Sequence, residues 1–218
     1  LPVINMCDYA KISYSLHAFL TNCKNRKKRM ICFVAITFNF AAMLLADKKK
    51  KENISEYIIY MYQTELLIRN FEFDIDKIKV HVFGNIPDRK MSPETKEEIF
   101  SWHRQVIADM QSEKLEKEGH LSYVQEEVQK LSDLSLKLLT ENDDYQAVFN
   151  QARPAIRENI IASKGLISNP IQACLNGVFG LLIARMNGTK IPNEIMSQVE
   201  HFGNVLSYLS HESRISKA

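Results

Sequence analysis

Glycine and proline are scarce, 7 and 6 among 218 residues. A sheet-rich fold needs frequent tight turns, and those turns draw on glycine and proline, so their scarcity argues against one. Cysteine is no more plentiful. Cys7, Cys23, Cys32 and Cys174 show neither the spacing of a disulfide framework nor that of a zinc site. A reducing, cytoplasmic setting fits that usage. No Glu-x-x-His occurs, and no two histidines stand four apart with a glutamate between them, so the local signatures of di-metal carboxylate bundles and zinc proteases are missing. A Gly-rich phosphate loop is missing too. Gly177 and Gly180 fall within a helical pattern, where they are expected to let two helices approach closely. On these grounds no metal and no cofactor are expected.

What fills the chain instead is Leu, Ile, Glu, Lys and Gln, residues that lose little side-chain freedom in a helix. Hydrophobic residues make up 45% and charged residues 25%, the balance of a folded globular chain. The formal charge of +2 conceals an asymmetry. Residues 1–42 hold six of the 28 basic side chains and one of the 26 acidic ones, leaving 22 basic against 25 acidic over residues 43–218. A mildly acidic domain lacks the field that phosphate backbones demand, so general nucleic-acid binding is not expected. The Lys48–Lys51 run reads as a solvated lead-in to the first helix.

Residues 1–42 are unlike the remainder. Residues 1–29 show neither helical period nor strand alternation, and the basic run 25–29 precedes an apolar stretch, MICFVAITFNFAAMLLA over residues 30–46. Two readings compete. The preferred one is a non-native leader ahead of a start at Met43; the other is a signal or anchor segment with small residues Ala41, Ala42 and Ala46 near a cleavage point. Its 17 residues stand at the lower limit for crossing a bilayer, so no membrane association is expected unless that stretch is a true anchor.

From residue 43 onward the expected architecture is all-α, a single domain built as a compact bundle of six or seven mostly antiparallel helices. The first helix, near Ile54 to Arg69, is apolar nearly all round and should be the axis of the core. Asp74 caps a short helix ending at Gly84. Ser92-Pro93 opens one to about Lys114 with the stripe Ile99, Trp102, Val106, Ile107 and Met110. The Gly119-His120 break precedes a helix through Val124 to Thr140. Another begins at Asp143 or Asp144 and must kink or split at Pro154. Asn169-Pro170 opens the next, and the last starts near Pro192.

Four stretches resemble a bacterial family known only as a domain of unknown function: NISEYIIYMYQTELLIR over residues 53–69, the Gly119-His120 break, ARPAI over residues 152–156, and residues 182–185. The resemblance covers the chain from about Met43 to the C-terminus. It implies an all-helical fold and supplies no activity, ligand or site residue.

Candidate chemistry therefore comes from the residues alone. Glu56, Gln63, Glu65 and Arg69 interrupt the apolar first helix, and Glu65 and Arg69 stand four apart, where they could pair. A buried charge is costly unless paired and hydrogen-bonded, so these groups form either a structural network or a polar pocket completed by His120, Arg153 or Arg157. The residues selected for such a pocket are Glu56, Glu65, Arg69, His120 and Arg153. The leading expectation for function is a non-enzymatic helical module that associates with itself or with a protein partner. A small-molecule-binding or enzymatic bundle around Glu65 and Arg69 is the alternative.

Overall fold

A computed structural model describes Ala46, residues 49–83 and residues 92–216 of the chain. The leader stretch, Cys7, Cys23, Cys32, Lys48 and Gly84 lie outside these residues. The chain is all-α, and among the described residues there is no strand. The helices are α1 (Ile54–Asn70), α2 (Ile75–Ile78, continued by a π-helical turn Lys79–Phe83), α3 (Pro93–Ser112), α4 (Ser122–Glu141), α5 (Asp143–Ala162), α6 (Pro170–Met186) and α7 (Asn193–Ile215). Among the described residues, no helix is long and apolar enough to cross a membrane.

Most helix starts are set by side chains that satisfy the orphan amides of the first turn. Asp74 accepts from the backbone N–H groups of Asp76 and Lys77, Ser92 from Thr95, Asn142 from Tyr145, and Asn169 from Ile171 and Gln172. Pro93 and Pro170 sit just inside α3 and α6, where their missing N–H costs nothing. Pro154 removes an interior hydrogen bond, yet α5 runs through it without being split.

The chain divides into two units. Of the described residues, one unit takes in Ala46, residues 49–51, 56–83 and 92–125, here called the Glu65 unit; the C-terminal unit takes in Glu52–Ser55 and residues 126–216. In the Glu65 unit, α1 buries Tyr57, Ile58, Met61, Tyr62, Leu66, Leu67 and Ile68, which cover the whole helix circumference as expected of a core axis. On α3 the buried stripe is Ile99, His103, Val106, Ile107 and Met110. His103 takes the fully buried place that the periodicity assigned to Trp102, which is only half-buried. The His103 Nδ1–H donates to the Ile99 carbonyl at 2.8 Å, and burial pulls the imidazole down to about 4, keeping it neutral.

In the C-terminal unit α5, α6 and α7 pack against one another. A Cβ on Gly177 would stand 2.6 Å from the Phe202 ring, so glycine there lets α6 approach α7 at the distance seen. Interior hydroxyls pair with one another. The Ser210 Oγ donates to Ser55 Oγ at 2.7 Å, Ser55 Oγ donates to the Leu206 carbonyl, and Ser210 Oγ accepts the Ser55 amide. Tyr145 and Ser135 share a hydrogen bond of 2.6 Å, and burial pushes the Tyr145 phenol up.

Candidate functional site

Between α3 and α4, residues 113–121 form a non-helical connection that folds back onto α1. Two left-handed residues shape it, Lys114 at φ 58° and Gly119 at φ 89°. Gly119 is doubly constrained, because a Cβ there would also meet the Leu115 side chain at 2.9 Å.

Two charged residues one helical turn apart on α1 hold this connection. The Glu65 carboxylate, fully buried, accepts from His120 Nδ1–H at 2.5 Å through Oε2 and from the Leu121 amide at 2.9 Å through Oε1. The Arg69 guanidinium donates from Nε to the Leu115 carbonyl at 2.9 Å and from Nη2 to the Gly119 carbonyl at 2.6 Å. Burial pulls Arg69 below the ordinary arginine range, opposed by the fields of Glu65 and Glu118. The expected i,i+4 ion pair between Glu65 and Arg69 is therefore not made. Each instead reaches across to backbone groups of the 113–121 connection, which have no helical partners of their own.

A second carboxylate completes the arrangement. Glu113 accepts the Ser122 amide at 2.8 Å and the Ser122 hydroxyl at 2.8 Å. Successive amides at the start of α4, those of Leu121 and Ser122, thus each meet a glutamate, and the positive end of the α4 dipole faces both charges. Burial is the main cause that pushes the Tyr123 phenol up, and the nearby Tyr57, Asp109, Glu65 and Glu113 add to it.

The His120 ring is fixed on two sides. Its Nδ1 is held by Glu65, and its face stacks on Tyr62 with 3.6 Å between ring centroids and 21° between planes. Tyr62 is in turn hydrogen-bonded at its hydroxyl by Gln125 Nε2. Because the carboxylate can only accept, the proton of a neutral His120 resides on Nδ1 and the lone pair on Nε2. The His120 side chain keeps 27% of its surface exposed.

Of the residues selected from the sequence, Glu65, Arg69 and His120 come together here. Glu56 is exposed on the first turn of α1 and pairs with Lys49 at 2.5 Å. Arg153 belongs to the C-terminal unit, where it is exposed with its guanidinium 5.7 Å from the centre of the Phe149 ring. Arg157 is exposed on the same helix. Sequence reasoning missed Glu113, Leu121 and Tyr62. Glu113 lies nine residues before the hydroxyl it caps, outside any local capping pattern, and Tyr62 reads as one more core aromatic. Among the described residues no three His, Cys, Asp or Glu side chains gather as metal ligands.

The fold and this cluster define an all-helical domain in which a buried carboxylate and a guanidinium clasp a loop and a helix start to the core helix. Residues 43–218 match the family described as domain of unknown function DUF4924, and the chain belongs to it. No curated protein matches the chain, and no solved structure matches it.

Proposed function

We propose that the chain is a cytoplasmic helical module that works by associating with a second copy of itself or with another protein, not by turning over a small molecule in an internal pocket. The observation that carries this reading is the use made of Glu65 and Arg69. Both carboxylate oxygens of Glu65, and Nε and Nη2 of Arg69, are engaged by helix-terminal and loop backbone groups and by His120, which is how a fold disposes of charges that hold it together. A ligand pocket would leave at least one of these charges facing open space.

Large apolar side chains left in solvent add support. In the C-terminal unit Leu136, Ile161 and Leu166 are 63%, 66% and 56% exposed. Apolar side chains of this size lose contact with water profitably when another protein surface covers them. Cys174, the free cysteine among the described residues, is buried inside α6, in keeping with a reducing compartment.

Sedimentation equilibrium over a wide concentration range tests the reading. The apparent mass should rise with concentration, and the triple variant Leu136→Glu, Ile161→Glu, Leu166→Glu should stay monomeric while keeping its helical circular dichroism. A monomer at every concentration that also binds no partner would contradict it.

A further inference from the structure

His120 has a property that the clasp does not use and that stands independently of association. An imidazole becomes a good nucleophile when one nitrogen is held by a carboxylate and the other is left open. The carboxylate fixes the tautomer, aims the lone pair of the second nitrogen outward, and stabilises the positive charge that develops on the ring. His120 meets each of these conditions. Its Nδ1–H is bound to the buried Glu65 carboxylate at 2.5 Å, its plane is set by stacking on Tyr62, and the side chain as a whole keeps 27% exposure. The other histidines of the described residues are placed differently. His103 is fully buried, His201 is half-buried with its Nδ1 buried and without a hydrogen bond among the described residues, His211 is exposed with its Nδ1 beside Arg214, and His81 is exposed and stacked on Phe71.

We propose that His120 Nε2 is a covalent modification site of this chain, an acceptor for activated acyl groups, with Glu65 as its positioning residue. The Nε2 lone pair attacks the carbonyl carbon of an activated carboxyl derivative. A C–N bond forms, the bond to the leaving oxygen breaks, and the leaving group departs with that electron pair. The charge left on the ring is balanced by Glu65 across the Nδ1–H bond. Addition of water to the acyl carbon then breaks the C–N bond, the electron pair returns to Nε2, and a carboxylic acid and one proton pass to solvent. The Glu65 carboxylate held against the ring repels an incoming anion, so a neutral acyl donor is the class that fits.

Diethyl pyrocarbonate is a neutral acyl donor that reports imidazole nucleophilicity directly, and mass spectrometry resolves the rate at each histidine of the intact chain. His120 should be carbethoxylated roughly tenfold faster than the more exposed His211, the lower end of the effect that a hydrogen-bonded carboxylate has on the basicity-dependent function of metal-binding histidines. Glu65→Gln should slow His120 by a similar factor and leave His211 unchanged, with circular dichroism confirming that the variant is folded. A His120 rate no greater than that of His211 would overturn the proposal, as would a folded Glu65→Gln chain with an unchanged His120 rate. If Glu65→Gln does not fold, the comparison of the two histidines in the unaltered chain decides the matter alone.

Discussion

The two units bury polar groups by different means. In the Glu65 unit the buried Glu65 carboxylate and the half-buried Arg69 guanidinium reach across to backbone groups of the 113–121 connection far away in sequence. Beside them the neutral Thr64 and His103 bond to carbonyls of their own helices. In the C-terminal unit the buried Glu127 pairs with the exposed Lys130 of its own helix, and the rest are neutral hydroxyls, with Ser55 bonded to Ser210 and Ser135 to Tyr145. A buried charge that loses its partners costs far more than a buried hydroxyl that does. The Glu65 unit is therefore specified by a few interactions of high consequence, and the C-terminal unit by close packing with weaker polar bonds distributed through it.

That contrast fails unless substitutions in the two units rank in a particular order. Glu65→Ala strands the His120 Nδ1–H and the Leu121 amide and leaves Arg69 with Glu118 in place of the nearer carboxylate; urea unfolding should show a loss of about 3–5 kcal/mol. Acid should strike the same unit next. His103 binds its proton near pH 6.5 when unfolded and only at about 4 when folded, so the unfolded chain holds more protons between those values. Its contribution is fully present above about pH 6.5 and declines as pH falls towards 4, a loss of roughly 3 kcal/mol that His103→Leu should largely abolish in unfolding curves taken at both ends of the window.

In the C-terminal unit the largest effect should come from packing. Gly177→Ala drives a methyl group against Phe202 and should cost about 1–3 kcal/mol by thermal or urea unfolding. Tyr145→Phe removes one hydroxyl pair and leaves Ser135 Oγ without that partner, for a loss of about 1 kcal/mol. If Tyr145→Phe proved as damaging as Glu65→Ala, the distinction between the units would be lost.

Helix positions were legible in the sequence wherever a cap and a proline stood together. Ser92-Pro93 and Asn169-Pro170 open α3 and α6 where their chemistry places them, because a cap is a local interaction readable over three or four residues. The turn after α1 was not legible. Glu72 and Phe73 both adopt left-handed conformations, at φ 58° and 63°, without a glycine to announce them. The site was half legible. A charge on an apolar helix demands a partner, which singled out Glu65 and Arg69, but i,i+4 spacing suggested the wrong one. Their actual partners lie 46 to 56 residues away in sequence, and no local pattern reports a contact of that range. Glu56 shows the limit from the other side, a charge on the same helix that simply faces solvent beside Lys49.

A double-mutant cycle between Glu65 and His120 tests the central claim most directly, using Glu65→Gln, His120→Gln and the pair, with stability read from urea unfolding. If the buried carboxylate holds the connection to α1 through His120, the coupling energy should be about 1.5–3 kcal/mol, as for a hydrogen bond to a buried charge. A coupling within about 0.3 kcal/mol of zero would show the two residues to be independent, and the clasp would then not be what secures this part of the fold.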